Sequence, residues 1–262
     1  MGRLPQRLQH GEGATVVGHL EELRWRLIIV LGSLALTTIV AFAFHGHILD
    51  WLNHPLPADR RRVVTLGVAE PFTVSVTVSV YAGFLLALPV IMWQFWSFFA
   101  PAFDPSIERS VLGLVAFASA LGTAGLAFGY WIVLPRALLW LTHYDDTHFT
   151  NLIQAKAYYS FTSTVLLGIV LVFELPVIVL GLVSIGVLSS ATLRRNRRLG
   201  YFIVAVVALT LPGPDPVTTG LELLPMWALF EGSIWLAFFV ERARPARLVA
   251  GRFDAVGVEP PA

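Results

Sequence analysis

Residues 160–186 read SFTSTVLLGIVLVFELPVIVLGLVSIG, an apolar run whose single ionisable residue is Glu174. A helix needs about 20 predominantly apolar residues to cross ~30 Å of hydrocarbon, and this run exceeds that length. The whole chain shares its character. Apolar residues make up 56% of the 262 positions and charged residues 13%, with a mean hydropathy of +0.72. An average soluble domain is about a quarter charged. Such long apolar runs could not be enclosed in a water-soluble core of this size, so the sequence implies one all-α, polytopic membrane domain.

Outward from this run, five more candidate spans cover 26–44, 74–97, 111–133, 199–211 and 219–240. The loops between them are rich in Pro, Gly or charge. Six spans result, and the fifth and sixth are expected to be short. At about 13 residues the fifth would reach only ~20 Å, and Glu222, Pro225 and Glu231 interrupt the sixth. A short span must thin the membrane or be sheltered by neighbours, so this pair is a candidate partner interface or thinned patch.

Basic residues orient the bundle. With the N-terminus inside, the cytoplasmic segments hold Arg3, Arg7, Arg24, Arg26, Arg109, Arg194, Arg195, Arg197, Arg198, Arg242, Arg244, Arg247 and Arg252. The opposite side holds Arg60, Arg61, Arg62, Arg136 and Lys156. An excess of Lys and Arg on cytoplasmic loops predicts an N-in, C-in topology, with a cytoplasmic tail over 1–18, a membrane domain over 19–240 and a second cytoplasmic tail over 241–262. Ala41-Phe42-Ala43 has the small-residue pattern of a signal-peptidase site, but the positive stretch before it is too long for a signal peptide.

The chain has no cysteine, which removes disulfides, thiolate metal sites and cysteine nucleophiles. There is no Gly-x-Ser-x-Gly string, and all seven histidines fall in loops or flanks. Neither a nucleophile with its base nor a zinc-ligand set emerges. The reading is therefore no enzyme, no metal and no cofactor, and the net charge of +1 gives no reason to invoke nucleic acid.

Several features invite functional readings. Pro89, Pro176 and Pro225 lie inside spans two, four and six, where proline removes a hydrogen bond and clashes with the carbonyl four residues back. Bends there would let three helices enclose a concave face, and the freed carbonyls of Leu85, Val172 and Leu221 would need partners in protein or water. Proline is also simply more frequent in membrane helices than in soluble ones. Glu174 lies ~14 Å past Val165, near mid-membrane, where a charge costs about 3 kcal/mol on insertion scales. It reads as a structural hydrogen-bond donor, a proton relay or a polar patch that receives a partner; Glu231 invites the same argument less strongly.

Ahead of span one, His19-Leu20-Glu21-Glu22-Leu23-Arg24-Trp25-Arg26 reads as an amphipathic lead-in helix near the interface, with Glu22 and Arg26 spaced to pair one turn apart. The loop from Trp96 to Arg109 carries Phe98, Phe99, Phe103, Asp104 and Glu108 but only one base. Aromatics at an interface are commonly belt anchors.

Taken together, the His19–Arg24 start, the Phe98–Arg109 loop, Phe173-Glu174-Leu175-Pro176 and the Pro-rich turn ending at Asp215 resemble the TatC family of twin-arginine protein translocase subunits, over about residues 19–240. The resemblance implies a receptor for twin-arginine signal peptides on folded cargo, in the bacterial cytoplasmic membrane. It further implies a multi-copy complex with single-span TatA- and TatB-type subunits, driven by the proton-motive force. Glu22 and Glu108 match the family's acidic recognition positions; Phe98 would support the loop, and Arg24 and Arg109 would orient the carboxylates. Glu174, Glu231 and Asp215 would be polar membrane or partner-docking positions, although Asp215 could act as no more than a helix cap. The alternative from a different class is a proton-coupled small-solute transporter with Glu174 at its midplane.

Overall fold

The computed structural model describes residues 16–99, 111–148, 152–184, 187–210 and 215–243. Its helices are α1 (Val16–Ala43), α2 (His45–Asn53), α3 (Glu70–Phe99), α4 (Val111–Phe128), α5 (Leu134–His143), α6 (Ala155–Phe173), α7 (Leu175–Ser184), α8 (Ser190–Arg195), α9 (Arg197–Thr210) and α10 (Pro216–Ala243). The strands β1 (Val63–Val64) and β2 (Ile153–Gln154) form one short parallel pair, Val63 opposite Ile153. Five helical stretches are long and apolar enough to cross a membrane: Leu20–Ala43, Glu70–Phe98, Leu112–His143, Ala155–Ser184 and Pro216–Arg242.

These five differ from the sequence reading in instructive ways. The lead-in is no separate interfacial helix, since α1 runs unbroken from Val16 through the first span and no proline intervenes to stop it. The third span extends well beyond residue 133, because a π-helical turn over Gly129–Val133 joins α4 to α5. Pro135 has no N–H to give the carbonyl four residues back, and the widened turn, in which Leu134 N–H reaches Gly129 O, absorbs that loss. The expected shortness holds for α9, whose 14 residues make about 21 Å. It fails for the sixth run, because α10 is 28 residues long, about 42 Å. Its acids do not break it: Glu222 is buried in protein and Glu231 is paired with α9.

The three prolines also behave differently from one another. Helices α3 and α10 continue through Pro89 and Pro225. At Pro176 the fourth run divides into α6 and α7, and Glu174 stands at the junction with φ −78° and ψ −11°.

Packing explains the order of the bundle. Helix α1 lies on α3, where Thr37 Oγ1 donates to Gly83 O at 2.8 Å. A Cβ at Gly83 would sit 2.7 Å from Thr38 Cα, so glycine sets how closely these backbones approach, as small residues do between membrane helices. Helix α6 packs on α3 and α4, α7 on α10, and α9 on α10. The main core joins Val74, Val133, Leu134, Val165 and Ile169 with their neighbours.

The end of the bundle where α1 finishes, here the distal end, carries a cap. Tyr130 stacks on Trp51 with centroids 3.8 Å apart and donates to Trp51 O at 2.8 Å. Tyr158 donates to Leu52 O at 2.5 Å and Tyr159 to Asn53 Oδ1 at 3.0 Å. Glu70, buried at the start of α3, accepts from the backbone N–H groups of Leu66, Gly67 and Lys156. Polar backbone leaving the membrane needs such partners, and this carboxylate serves three groups on both sides of the β1–β2 pair.

Candidate functional site

The proximal end, where α1 begins, presents Glu22 on the first turns of α1. Its Oε1 accepts from Arg26 Nη2 at 2.5 Å and from Nε at 3.0 Å. The same guanidinium donates to Ser97 O at 3.0 Å and to Gln94 Oε1 at 3.3 Å on α3. Helical spacing of four residues brings Glu22 and Arg26 together, and the planar five-donor fork lets one arginine serve a carboxylate and a neighbouring helix at once. Glu22 remains partly open, with its side chain 25% exposed.

The resemblance implied Arg24 and Arg109 as the residues that orient the carboxylates; the guanidinium in contact with Glu22 is that of Arg26, and Arg24 faces solvent. Phe98 is half-buried at the end of α3, beside Ser97. Glu22 is thus tied to the helix end that bears Phe98. Glu108 and Arg109 lie outside the described residues.

Deeper in the bundle, Glu174 is 1% exposed. Neither of its carboxylate oxygens has a hydrogen-bond partner among the described residues. A Cβ at Gly122 would come within 3.0 Å of Glu174 Oε1 and of Leu88 Cδ2, so the carboxylate is walled by α3 and α4. The break between α6 and α7 positions it: Val177 N and Ile178 N both bond to Glu174 O, and Pro176 lacks the donor that would continue the regular ladder.

Glu231 sits on α10 opposite α9. Tyr201 O–H donates to its Oε1, and Arg197 Nη2 lies 3.2 Å from its Oε2. Asp215 caps α10, its Oδ1 accepting from Val217 N at 3.1 Å and Thr218 N at 2.8 Å. Glu22, Glu174, Glu231 and Asp215 therefore form no single cluster; they occupy the proximal end, the interior, the α9–α10 seam and the distal end in turn.

The sequence reading gave Arg26 only a pairing with Glu22 and gave Glu70 and Glu241 no role, and it used Arg194 for orientation alone. Arg194 lies over the Phe238 ring at 4.2 Å, and Glu241 accepts from Ser190 N at 2.9 Å, fastening α8 to the end of α10. Only the Glu22–Arg26 spacing signalled one of these contacts in advance. Among the described residues, no three His, Cys, Asp or Glu side chains are grouped to hold a metal ion.

Residues 18–225 match the family model described as Sec-independent protein translocase protein (TatC). The Sec-independent protein translocase protein TatCd of Bacillus subtilis (strain 168) is 34% identical over 229 residues, spanning 87% of this chain and 93% of that protein. The chloroplastic TATC of Arabidopsis thaliana is 32% identical, over 88% of this chain and 68% of its own length. A crystal structure of the twin arginine translocase receptor TatC in DDM superposes with a TM-score of 0.75 at 30% identity, covering 84% of this chain and 99% of that one.

Proposed function

We propose, from the premise that this chain belongs to the TatC family of Sec-independent protein translocase proteins, that it is the receptor subunit for twin-arginine signal peptides. The observation that supports this most is Glu22: a partly open carboxylate, gripped by Arg26 and tied to the end of α3 beside Phe98. Two adjacent guanidinium groups call for planar carboxylate acceptors, and lysine lacks the fork to match them. Glu108, from the loop that follows α3, is the second acceptor in this reading, with Arg109 beside it.

The rest of the proposal follows the same frame. The proximal end faces the cytoplasm, as the arginine distribution requires, with both termini inside and α9 as a sixth, short crossing. The tails over 1–18 and 241–262 flank one membrane domain in the bacterial cytoplasmic membrane. Bends at Pro89, Pro176 and Pro225 shape a concave face. Single-span TatA- and TatB-type partners dock against α9 and α10, a surface that pairs the short helix with Glu231 at its seam and Asp215 at its distal end, and Glu174 supplies polarity within the bundle. Several copies assemble, and the proton-motive force drives export of folded cargo. The small-solute transporter alternative needs Glu174 to line a solute-sized cavity, whereas its side chain is sealed against Gly122 and Leu88.

Equilibrium binding of a twin-arginine signal peptide to the purified protein in lipid, beside its twin-lysine counterpart, tests recognition. Tighter binding of the arginine form, lost in the Glu22→Gln/Glu108→Gln double variant, is expected. Equal binding of both peptides, or binding untouched by the double variant, overturns the proposal.

A further inference from the structure

Helix α10 carries three buried polar atoms in a row. Asp215 is 5% exposed, Thr218 0% and Glu222 3%, and Asp215 Oδ2, Thr218 Oγ1 and Glu222 Oε1 have no hydrogen-bond partner among the described residues. Spacings of three and four residues put all three on one helix face. Their backbones span ~10 Å along the axis, and helical side chains lean toward the N-terminus, which directs the long Glu222 side chain back toward Thr218 and Asp215. The cap explains why Oδ2 is the atom left over, because Oδ1 already accepts from Val217 N and Thr218 N.

We propose that Asp215, Thr218 and Glu222 form a binding site for one proton, delivered as hydronium from the distal end and held between the two carboxylates through the threonine hydroxyl. Hydronium transfers its proton to a Glu222 carboxylate oxygen and leaves as water. The new O–H donates to Thr218 Oγ1, whose own O–H donates to Asp215 Oδ2. All three orphaned atoms are then satisfied, and the pair carries one negative charge instead of two. An ionisable pair inside a membrane helix needs such a partner, and two like charges in a low dielectric do not both persist. Three free oxygen atoms fall short of the six or more oxygen ligands that calcium or magnesium takes.

Among the described residues, the surroundings supply no competing cation. On α5, Arg136 faces solvent and donates to Ile132 O of its own turn, and His143 pairs with Asp59. On α6, Lys156 is exposed, and the hydroxyls of Tyr158 and Tyr159 are spent on α2. Tyr130 of the π-helical turn donates to Trp51 O. The acid on the α6–α7 side is Glu174, walled by Gly122 and Leu88. On α9, Arg197 and Tyr201 engage Glu231 and Arg198 is exposed at the proximal end. On α8, Arg194 stacks on Phe238 and Arg195 is exposed. Glu222 borders a small cavity lined by Phe128, Ile169, Val172, Phe173 and Met226, so apolar side chains stop the row on its mid-membrane side.

Infrared difference spectroscopy of the full chain in lipid, between alkaline and acidic buffer, reads this site through the carbonyl band of a protonated carboxylic acid. Glutamate labelled with 13C at its side-chain carboxyl assigns the band to Glu. The expected result is a band that Glu222→Gln removes, that Asp215→Asn shifts in frequency by changing the terminal acceptor, and that Glu174→Gln leaves in place. If Glu222→Gln does not fold, labelled Glu174→Gln protein must still show the band. A spectrum without it, a band unmoved by Asp215→Asn, or a band that survives Glu222→Gln overturns the proposal.

Discussion

Arg26 holds Glu22 with two donors of one guanidinium, Nη2 at 2.5 Å and Nε at 3.0 Å, and the same group clasps Ser97 O at the end of α3. Orientation of the carboxylate and attachment of α1 to α3 are therefore one interaction. Lysine would keep the charge and lose the fork. Arg26→Lys is expected to weaken twin-arginine peptide binding by about 1 kcal/mol, the scale of a single net hydrogen bond, with Glu21→Gln near wild type because Glu21 is exposed. Equilibrium binding in lipid measures both; an Arg26→Lys protein that binds like wild type would separate Glu22 from its arginine.

Gly83→Val tests the α1–α3 contact by overpacking it against Thr38. The new Cβ would meet Thr38 N at 2.8 Å and Thr38 Cα at 2.7 Å, backbone atoms that cannot rotate away. Overpacking of this kind costs about 1–3 kcal/mol, so thermal unfolding in detergent should begin several degrees lower. Gly113→Val on α4, where a Cβ meets nothing within 4 Å, serves as the matched control. Equal melting of the two variants would show that α1 is free to shift.

How much of this was legible beforehand depends on what each residue had to signal. Span existence was plain, because the run of apolar residues around Val165 and Ile169 reflects the solvent and needs no tertiary information. The length of α10 was not, since Glu222, Pro225 and Glu231 look like interruptions until Tyr201 and Arg197 are seen to satisfy one acid. The π-helical turn before Pro135 was invisible for a similar reason: it answers a missing hydrogen bond, not a composition. At the candidate site, the four-residue spacing exposed Glu22–Arg26, but the Ser97 carbonyl that completes it lies 71 positions away, and no local pattern encodes such a contact.

Tyr158→Phe probes the distal cap. Its hydroxyl is the donor to Leu52 O, and removing it leaves a carbonyl unpaired where Tyr158 itself is only 4% exposed. The loss should be about 1–2 kcal/mol and local, seen as faster amide exchange in α2 with the α3–α6 core unchanged. Uniform exchange across all helices would contradict a separable cap.

Asp145 anchors the turn after α5 in a left-handed conformation, φ 56°. His148 lies 2.6 Å from its carboxylate and Thr147 O–H donates to it at 2.9 Å, and these hydrogen bonds hold the Asp145 carboxyl below its ordinary value. A depressed carboxylate contributes stability above its unfolded-state value, about 3.9, and loses it as pH falls through the lower folded value. Protection against amide exchange at 145–148, taken relative to the intrinsic rate at each pH, should therefore hold down to about pH 4 and fall below it, an acceleration over the intrinsic rate. Asp145→Asn, which tolerates the same backbone, should remove the acid dependence; acceleration that persists in that variant would place its origin elsewhere.

Glu174→Met separates stability from function at the most deeply buried acid among the described residues. Its carboxylate is sealed at 1% exposure with neither oxygen hydrogen-bonded among the described residues, and burying an unsatisfied polar group costs roughly 1–3 kcal/mol. An apolar side chain of similar length removes that cost, and replacing buried charge by well-packed apolar groups is often stabilising. The variant is expected to melt several degrees above wild type while signal-peptide-dependent export falls, the trade-off typical of residues kept for function. A variant that melts lower would mean that the carboxyl is a structural donor whose partner forms only in the membrane. One that melts higher and still exports would strip Glu174 of the role assigned to it within the bundle.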